Sequence, residues 1–305
     1  YKGGLPSRYG GRLSSVLDIT TKEGNLNEKG RTISIGTMAG RIYLEGPIKK
    51  GKISYALAAR RTWLDLPIHL GQIMNYNEEI SYGFWDINGK LNWKINNQNR
   101  VFLSFYSGKD AFVHKNSGTL FDEKNLDYRF NWQNQTAVLR WNHIFNPQLF
   151  VNTSVYTSRF IQEQKNVTDK KTDSYQRIHN DLEDYSIKSD LNYAISQLHE
   201  IKFGYHLSKS KFSPEIIETN NSDSLIILNK DTYIHSLTLS GYCEDDWIVS
   251  EKLKINYGIK GSWYMSGEAN YFGAEPRIAA SYHFKPHLTA KVSYSRMKQF
   301  LHILN

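Results

Sequence analysis

The chain has 305 residues, a formal net charge of +8 and one cysteine, Cys243. A single thiol excludes an internal disulfide and a zinc site made of paired cysteines, and the absence of a run of about 20 apolar residues excludes a transmembrane helix. Only 40 % of the residues are hydrophobic, yet 13 % are aromatic, which favours many strands with one apolar and one wet face over a packed helical domain.

The basic residues are spread over turns and strand faces, with only short clusters such as Lys49, Lys50 and Lys52. No basic arm or helix collects them. We therefore interpret the charge as a generally basic surface and expect no nucleic-acid partner.

Alternation of apolar and polar residues with a period of two is the dominant pattern from about Thr32 onwards, and it predicts a series of β-strands. In the strand around Leu91, for example, Trp85, Ile87 and Trp93 share one face while Asn92 and its alternate neighbours share the other. The clearest runs cover residues 85–95, 101–105, 137–145, 151–157, 187–195, 237–247, 255–263, 278–284 and 290–294.

The connections between these runs are sorted by length. Short connections with turn residues lie at 49–51, 96–99, 146–148, 196–198, 250–252 and 285–287. Long polar stretches lie between them, at about 66–83, 112–126, 167–175 and 214–231. Short turns at one end and long loops at the other are typical of an outer-membrane β-barrel.

About thirteen strands are predicted, and several exceed the roughly 9–11 residues that cross a bilayer. Closed bacterial barrels have an even number of strands, and an unpaired edge is costly in lipid. We therefore expect an incomplete sheet, with more chain to follow after Asn305. Because the chain starts at Tyr1 within a loop, we interpret it as a fragment.

Residues 3–24 read G-G-L-P-S-R-Y-G-G-R-L-S-S-V-L-D-I-T-T-K-E-G. This segment resembles the end of the plug domain of TonB-dependent receptors, which carries a P-x-R-Y-G-G element, a strand and then T-K. The matching residues are Pro6, Arg8, Tyr9, Gly10, Gly11, Val16, Ile19, Thr21 and Lys22.

Later motifs follow in the order of the same family. Residues 39–47 and 59–65 resemble the second and third barrel strands of its Bacteroidetes members. Residues 241–247 are similar to a Y-x-Q-D-E-W strand, from which Cys243 and Glu244 depart. Glu275-Pro-Arg277, followed by residues 294–296 and 299–301, resembles the E-P-R strand and its successor. The resemblance thus spans nearly the whole chain.

The resemblance implies an all-β fold, an antiparallel transmembrane β-barrel of about 22 strands of which this chain holds about thirteen. Residues 1–26 would be the C-terminal end of the plug domain and residues 27–305 the N-terminal part of the barrel. It also implies a multi-pass receptor in the outer membrane of a Gram-negative bacterium that takes up a scarce nutrient, which could be an iron chelate, a cobalamin, a glycan or a peptide. The implied partners are outer-membrane lipid, that small nutrient and the TonB-ExbB-ExbD system through a segment not in this chain, with a surface lipoprotein as a further candidate.

Arg8 is the most specific candidate for a functional contact. By resemblance it lies on the plug and faces acids of the barrel wall, and alternation places Glu244 and Asp246 on the polar side of their strand. An Arg–carboxylate pair there would latch the plug to the wall. The alternative is that Arg8 caps a loop and the acids contact water. Gly10 and Gly11 are expected to allow a tight turn.

Loop aromatics are the candidates for contact with the nutrient, although a single aromatic residue of this kind more often packs within its own loop. They are Tyr76, Tyr82, Phe121, Tyr175 and Tyr271.

No catalytic residue, metal site or cofactor is predicted. The Gly46–Lys52 run lacks the Ser or Thr that would follow in a phosphate-binding loop, and the next histidine after His199-Glu200 is His206, too distant for a zinc motif. Two other classes stay open, an outer-membrane β-barrel enzyme and a soluble multi-strand β protein that binds a partner.

Overall fold

The computed structural model describes residues 5–11, 13, 15–63, 78–116, 127–169, 174–221, 224–228, 232–285 and 287–300. In these residues the secondary structure is all β. The strands are β1 Gly30–Ile35, β2 Ala39–Lys49, β3 Ile53–Thr62, β4 Glu78–Lys94, β5 Asn99–Asn116, β6 Asp127–Asn146, β7 Leu149–Asp169, β8 Ser174–Ala194, β9 His199–Asn221, β10 Ser224–Leu228, β11 Ile234–Ile248, β12 Leu253–Ser266, β13 Ala269–Lys285 and β14 Leu288–Ser295. No helix in this part of the chain is long and apolar enough to cross a bilayer.

All fourteen strands of the described residues form one antiparallel sheet in which each strand pairs with the next along the chain. The exception is β10, which pairs with β9 beyond the point where β9 pairs with β11. Thirteen strands therefore make up the wall, as the sequence predicts, and β10 is an addition to it. Within the described ranges β1 and β14 each pair on one side only.

The two faces of the sheet are inverted relative to a water-soluble protein. The face that residues 5–29 contact, called here the inner face, holds buried polar side chains such as Lys90 and Asn92. The opposite, outer face holds exposed apolar side chains such as Leu139, Leu239 and Ile259. This sorting of the side chains confirms the two faces that the alternation predicts, and an exposed apolar face of this extent is typical of a surface that contacts lipid.

The outer apolar band has the height of a bilayer. Along β8 it runs up to Tyr185 from Ile195, the residue just after the strand, and the next outward side chains are Glu183 and Asp181. Ten steps of roughly 3.3 Å along a strand tilted by about 40° give a height of about 25 Å. Above it, Arg159 forms ion pairs on the outer face, 2.6 Å from Asp181 and 3.3 Å from Glu183.

The short turns predicted at 49–51, 96–99, 146–148, 196–198 and 250–252 are confirmed, and four of them share one mechanism. In each, a side-chain oxygen accepts hydrogen bonds from the backbone N–H groups two and three residues further on, with lengths of 2.7–3.3 Å. Such bonds fix a tight turn between two strands. The accepting residues are Asn96, Asn146, Ser196 and Ser250.

The prediction of long loops at the opposite end is partly wrong. β9 continues to Asn221, and residues 224–228 form β10, so much of the stretch 214–231 is a β-hairpin. β12 and β13 are joined there by Gly267 and Glu268 alone, with Gly267 at a φ of 55°. Above the membrane both faces of a strand meet water, so hydropathy no longer alternates although backbone pairing continues.

The N-terminal segment before β1 crosses the inner face and is fastened to it at residues 21–26. Lys90 Nζ donates to the Thr21 carbonyl oxygen at 3.1 Å, and Arg100 lies 2.9 Å from the Glu23 carboxylate. The Gly51 N–H donates to the Leu26 carbonyl oxygen at 2.9 Å. The six residues 21–26 of the connecting chain are thereby held against the wall.

Gly24 is required at this crossing for two reasons. Its φ is +78°, and a Cβ there would lie 2.2 Å from the Tyr55 carbonyl oxygen. Gly51 has a similar φ of +70° but open space where a Cβ would be. A substitution at Gly51 therefore costs only the strain of the left-handed backbone, whereas a substitution at Gly24 adds the cost of a steric clash.

We predict that Gly24→Ala destabilises the full-length protein more than Gly51→Ala, for which only the left-handed conformation, about 1–2 kcal/mol, is at stake. Urea unfolding of both variants measures the difference. Equal losses would show that the segment does not press against β3.

We also predict that Leu139→Arg, on the outer face near the middle of the band, costs about 2–4 kcal/mol of folding free energy in lipid. Gln135→Arg is the matched control, because it lies on the same face of β6 at the upper edge of the band and should cost about 0–1 kcal/mol. Equilibrium folding into phospholipid vesicles measures both. A cost at Leu139 no larger than at Gln135 would contradict the assignment of the band.

Candidate functional site

The site lies where residues 5–11 contact the inner face of β11, β12 and β13. The Ser7 backbone N–H donates a hydrogen bond to the Glu244 carboxylate on β11, and both residues are buried. A charge-assisted bond of this kind is stronger than one between neutral groups. It joins positions 237 residues apart in the chain.

Arg277 on β13 makes the second contact. Its Nη1 donates to the carbonyl oxygens of Leu5 and Pro6, at 3.3 and 2.6 Å, and its Nη2 donates to Glu275 Oε2 at 2.9 Å. The side chains of Arg277 and Glu275 are 2 % and 0 % exposed. Hydrogen bonds to the other donors make a buried ion pair more tolerable, and here two carbonyl groups of the N-terminal segment accept from Nη1, while Nε has no partner among the described residues.

Glycines let the backbone of the segment approach the wall. A Cβ at Gly258 on β12 would lie 2.5 Å from Ser7 Oγ, and one at Gly10 would lie 2.8 Å from Lys260 Cδ. Gly11 has a φ of +74°, with open space where a Cβ would be. Of the two glycines of the expected turn, Gly10 therefore serves close approach and Gly11 serves a left-handed backbone.

The structure brings Arg8 and Glu244 to the same region, because Ser7, which binds Glu244, precedes Arg8. The Arg8 guanidinium lies 4.8 Å from the centre of the Tyr9 ring. Asp246 is on the same face of β11 as Glu244, but the bonds it accepts come from the barrel, from Lys202 Nζ and from Asn256 Nδ2 at 2.7 Å.

The candidate nutrient-contacting aromatics are not in loops where the structure describes them, which corrects their expected location. Tyr82 is on β4 and donates to Asp110 at 2.9 Å, and Tyr175 is on β8 and donates to Glu218 at 2.5 Å. Tyr271 is on β13. Tyr76 and Phe121 lie outside the described residues.

Only two of these three tyrosines face inward. Tyr82 shares the inner face of β4 with Lys90, and Tyr271 shares the inner face of β13 with Glu275. Tyr271 lies in a group of three rings, with centres 6.5 Å from those of Tyr264 and Phe300. Strand alternation places Tyr175 on the outer face with Tyr185, away from the interior.

Sequence reasoning did not assign a role to several inner-face residues. Phe102 is 1 % exposed, and three cations lie over its ring at 4.3–5.1 Å, those of Lys90, Arg100 and Arg140. The sequence does contain a sign of this cluster, because Phe102 is an apolar residue on the polar face of its strand. Alternation likewise places Glu275 and Arg277 inward, but it does not tell which residue they contact.

No group of three or more His, Cys, Asp or Glu side chains is placed to hold a metal ion in the described parts of the chain. The polar side chains at the site bind the backbone of the N-terminal segment. The arrangement is suited to holding that segment against the inner face of the sheet.

Comparison with solved structures shows the same fold over most of this chain. The siderophore receptor PirA from Acinetobacter baumannii matches with a TM-score of 0.67 and 14 % identity, over 98 % of this chain and 47 % of that one. The open form of the ferric-catecholate import receptor Fiu from E. coli K12 matches with 0.64 and 11 %, over 92 % and 56 %. The ferric enterobactin receptor PfeA (mutant G324V) from Pseudomonas aeruginosa matches with 0.63 and 14 %, over 98 % and 48 %.

The chain spans about half the length of these structures, all of which are receptors and none of which is named as an enzyme. No curated protein matches it. A family model described as "TonB dependent receptor-like, beta-barrel" matches residues 62–297, well over half of the chain. The chain therefore belongs to the family of TonB-dependent receptor β-barrels.

Proposed function

We propose that the chain is part of an outer-membrane receptor of a Gram-negative bacterium that imports a scarce nutrient with energy delivered through TonB. The observation that carries the proposal is the N-terminal segment held inside a sheet whose outer face is an apolar band. Glu244 and Arg277 bind the backbone of that segment, as a barrel wall would hold a plug. Residues 1–26 are then the end of the plug and residues 27–305 barrel.

The nutrient we propose to test first is an iron chelate. The solved structures similar in fold are named as siderophore, ferric-catecholate and ferric enterobactin receptors. A cobalamin, a glycan and a peptide are the alternatives. The TonB-ExbB-ExbD system would act on a plug segment outside this chain, and the Bacteroidetes type with its surface lipoprotein remains part of the proposal.

Growth of a deletion strain tests the uptake. In medium with iron supplied only as a ferric siderophore, we predict that the strain without the receptor fails to grow and that the full-length receptor restores growth only when TonB is present. The control is growth on free iron at high concentration, which should not depend on the receptor. Equal growth of both strains on every iron chelate, cobalamin, glycan and peptide tried would refute nutrient import.

We further propose that Arg8 and Glu244 act together as a latch between plug and wall. Glu244 already accepts the Ser7 N–H bond, and the positive charge of the adjacent Arg8 would stabilise the same carboxylate. Removing either charge would weaken the contact without removing the segment.

A double-mutant cycle measures the latch. We predict that Arg8→Gln and Glu244→Gln each lower the urea concentration at which the plug leaves the barrel, with a coupling of about 1–3 kcal/mol between them. Asp246→Asn is the control on the same face of β11, since its bonds are to Lys202 and Asn256. Strictly additive effects of the two substitutions would exclude the latch while leaving the proposed uptake untouched.

A further inference from the structure

A cavity of about 200 Å³ lies between the N-terminal segment and the wall. Three basic side chains line it, Arg8 from the segment, Lys188 from β8 and Lys260 from β12. No Asp or Glu of the described residues is among its lining. The cavity is therefore positive on both sides of the contact.

The burial of Lys260 and its lack of a partner among the described residues are the observations on which the argument depends. Its side chain lies in the middle of β12 and is 94 % buried, since 6 % of its surface is exposed. In the described part of the chain it makes neither a hydrogen bond nor an ion pair, whereas Lys188 lies 3.1 Å from Asp190. A largely buried lysine that lines a cavity without a partner for its ammonium group would be stabilised by a negative charge there.

The carboxylates behind the cavity wall are already engaged. Asp190 pairs with Lys188 and accepts the Tyr242 hydroxyl at 2.7 Å. Glu275, opposite Lys260 on the neighbouring strand, pairs with Arg277 at 2.9 Å. Glu244 accepts the Ser7 N–H. Asp184, near Tyr156 and His206 of the lining, accepts the Ser210 hydroxyl. Lys260 is thus left without an ion pair in the described part of the chain.

The remaining lining suits an anion with several oxygen atoms. The Tyr156 hydroxyl is held at the wall by its 2.8 Å bond with His206 Nε2, and Ser240 adds a second hydroxyl. Ammonium, guanidinium and hydroxyl groups are the donors that bind phosphate and carboxylate oxygens in proteins.

We propose that this cavity is a binding site for a free small oxyanion of the phosphate class, held by Lys260 together with Arg8 and Lys188. The bound anion would contact the segment and the wall at once and would neutralise the buried ammonium group. The site is independent of the imported nutrient, because it lies at the contact between segment and wall and needs no transport to fill.

Equilibrium dialysis of the purified full-length receptor against radiolabelled inorganic phosphate, at constant ionic strength, tests the site. We expect saturable binding that sulfate displaces, weakened at least tenfold in Lys260→Met. Lys260→Arg keeps the charge and should bind phosphate like the unaltered receptor. Lys254→Met, on the same strand but outside the cavity, is the matched control and should also bind normally.

Two results would overturn the proposal. One is the absence of saturable phosphate and sulfate binding to the unaltered receptor, as expected if a carboxylate of the plug fills the cavity. The other is unchanged phosphate binding in Lys260→Met when its heat-modifiable migration shows that the barrel is folded. Neither result bears on growth with a ferric siderophore, so the site and the proposed uptake fail separately.

Discussion

A backbone N–H or C=O group that faces hydrocarbon has no water to bind, so each strand in a membrane must find its hydrogen-bond partners in neighbouring strands. In this chain every wall strand from β2 to β13 pairs on both sides. Because strand side chains alternate between the two faces, the same pairing forces one face toward lipid and the other inward. The exposed Leu139 and the buried Asn92 are consequences of that one constraint.

The constraint also shapes the interior. Polar side chains that the alternation turns inward lose water where the N-terminal segment covers them, so they must bind the segment or one another. Glu244 binds the Ser7 N–H and Arg277 binds two carbonyl groups, which fixes the segment through its backbone. Lys260 makes neither a hydrogen bond nor an ion pair in the described part of the chain, and its charge beside the cavity is the reason for inferring an anion site.

The sequence predicts what depends on local pattern. Thirteen wall strands, their faces and the turns at Asn96 and Asn146 follow from alternation and turn chemistry within a few residues. The upper parts of β9 and β10 were not predicted, because strands wet on both faces do not alternate. The contact of Arg277 with Pro6 joins residues 271 apart, and no local pattern encodes such a pairing.

The single cysteine offers the most direct test of the inverted sheet. Cys243 is exposed on the outer face of β11, and Ser240 is buried on its inner face. In the full-length receptor, with any further cysteines replaced, a bimane label on Cys243 should be quenched by spin-labelled lipids and not by aqueous iodide. A label at Ser240→Cys in a Cys243→Ser background should escape lipid quenching. Quenching of the Cys243 label by iodide but not by lipid would contradict the assignment of the outer face.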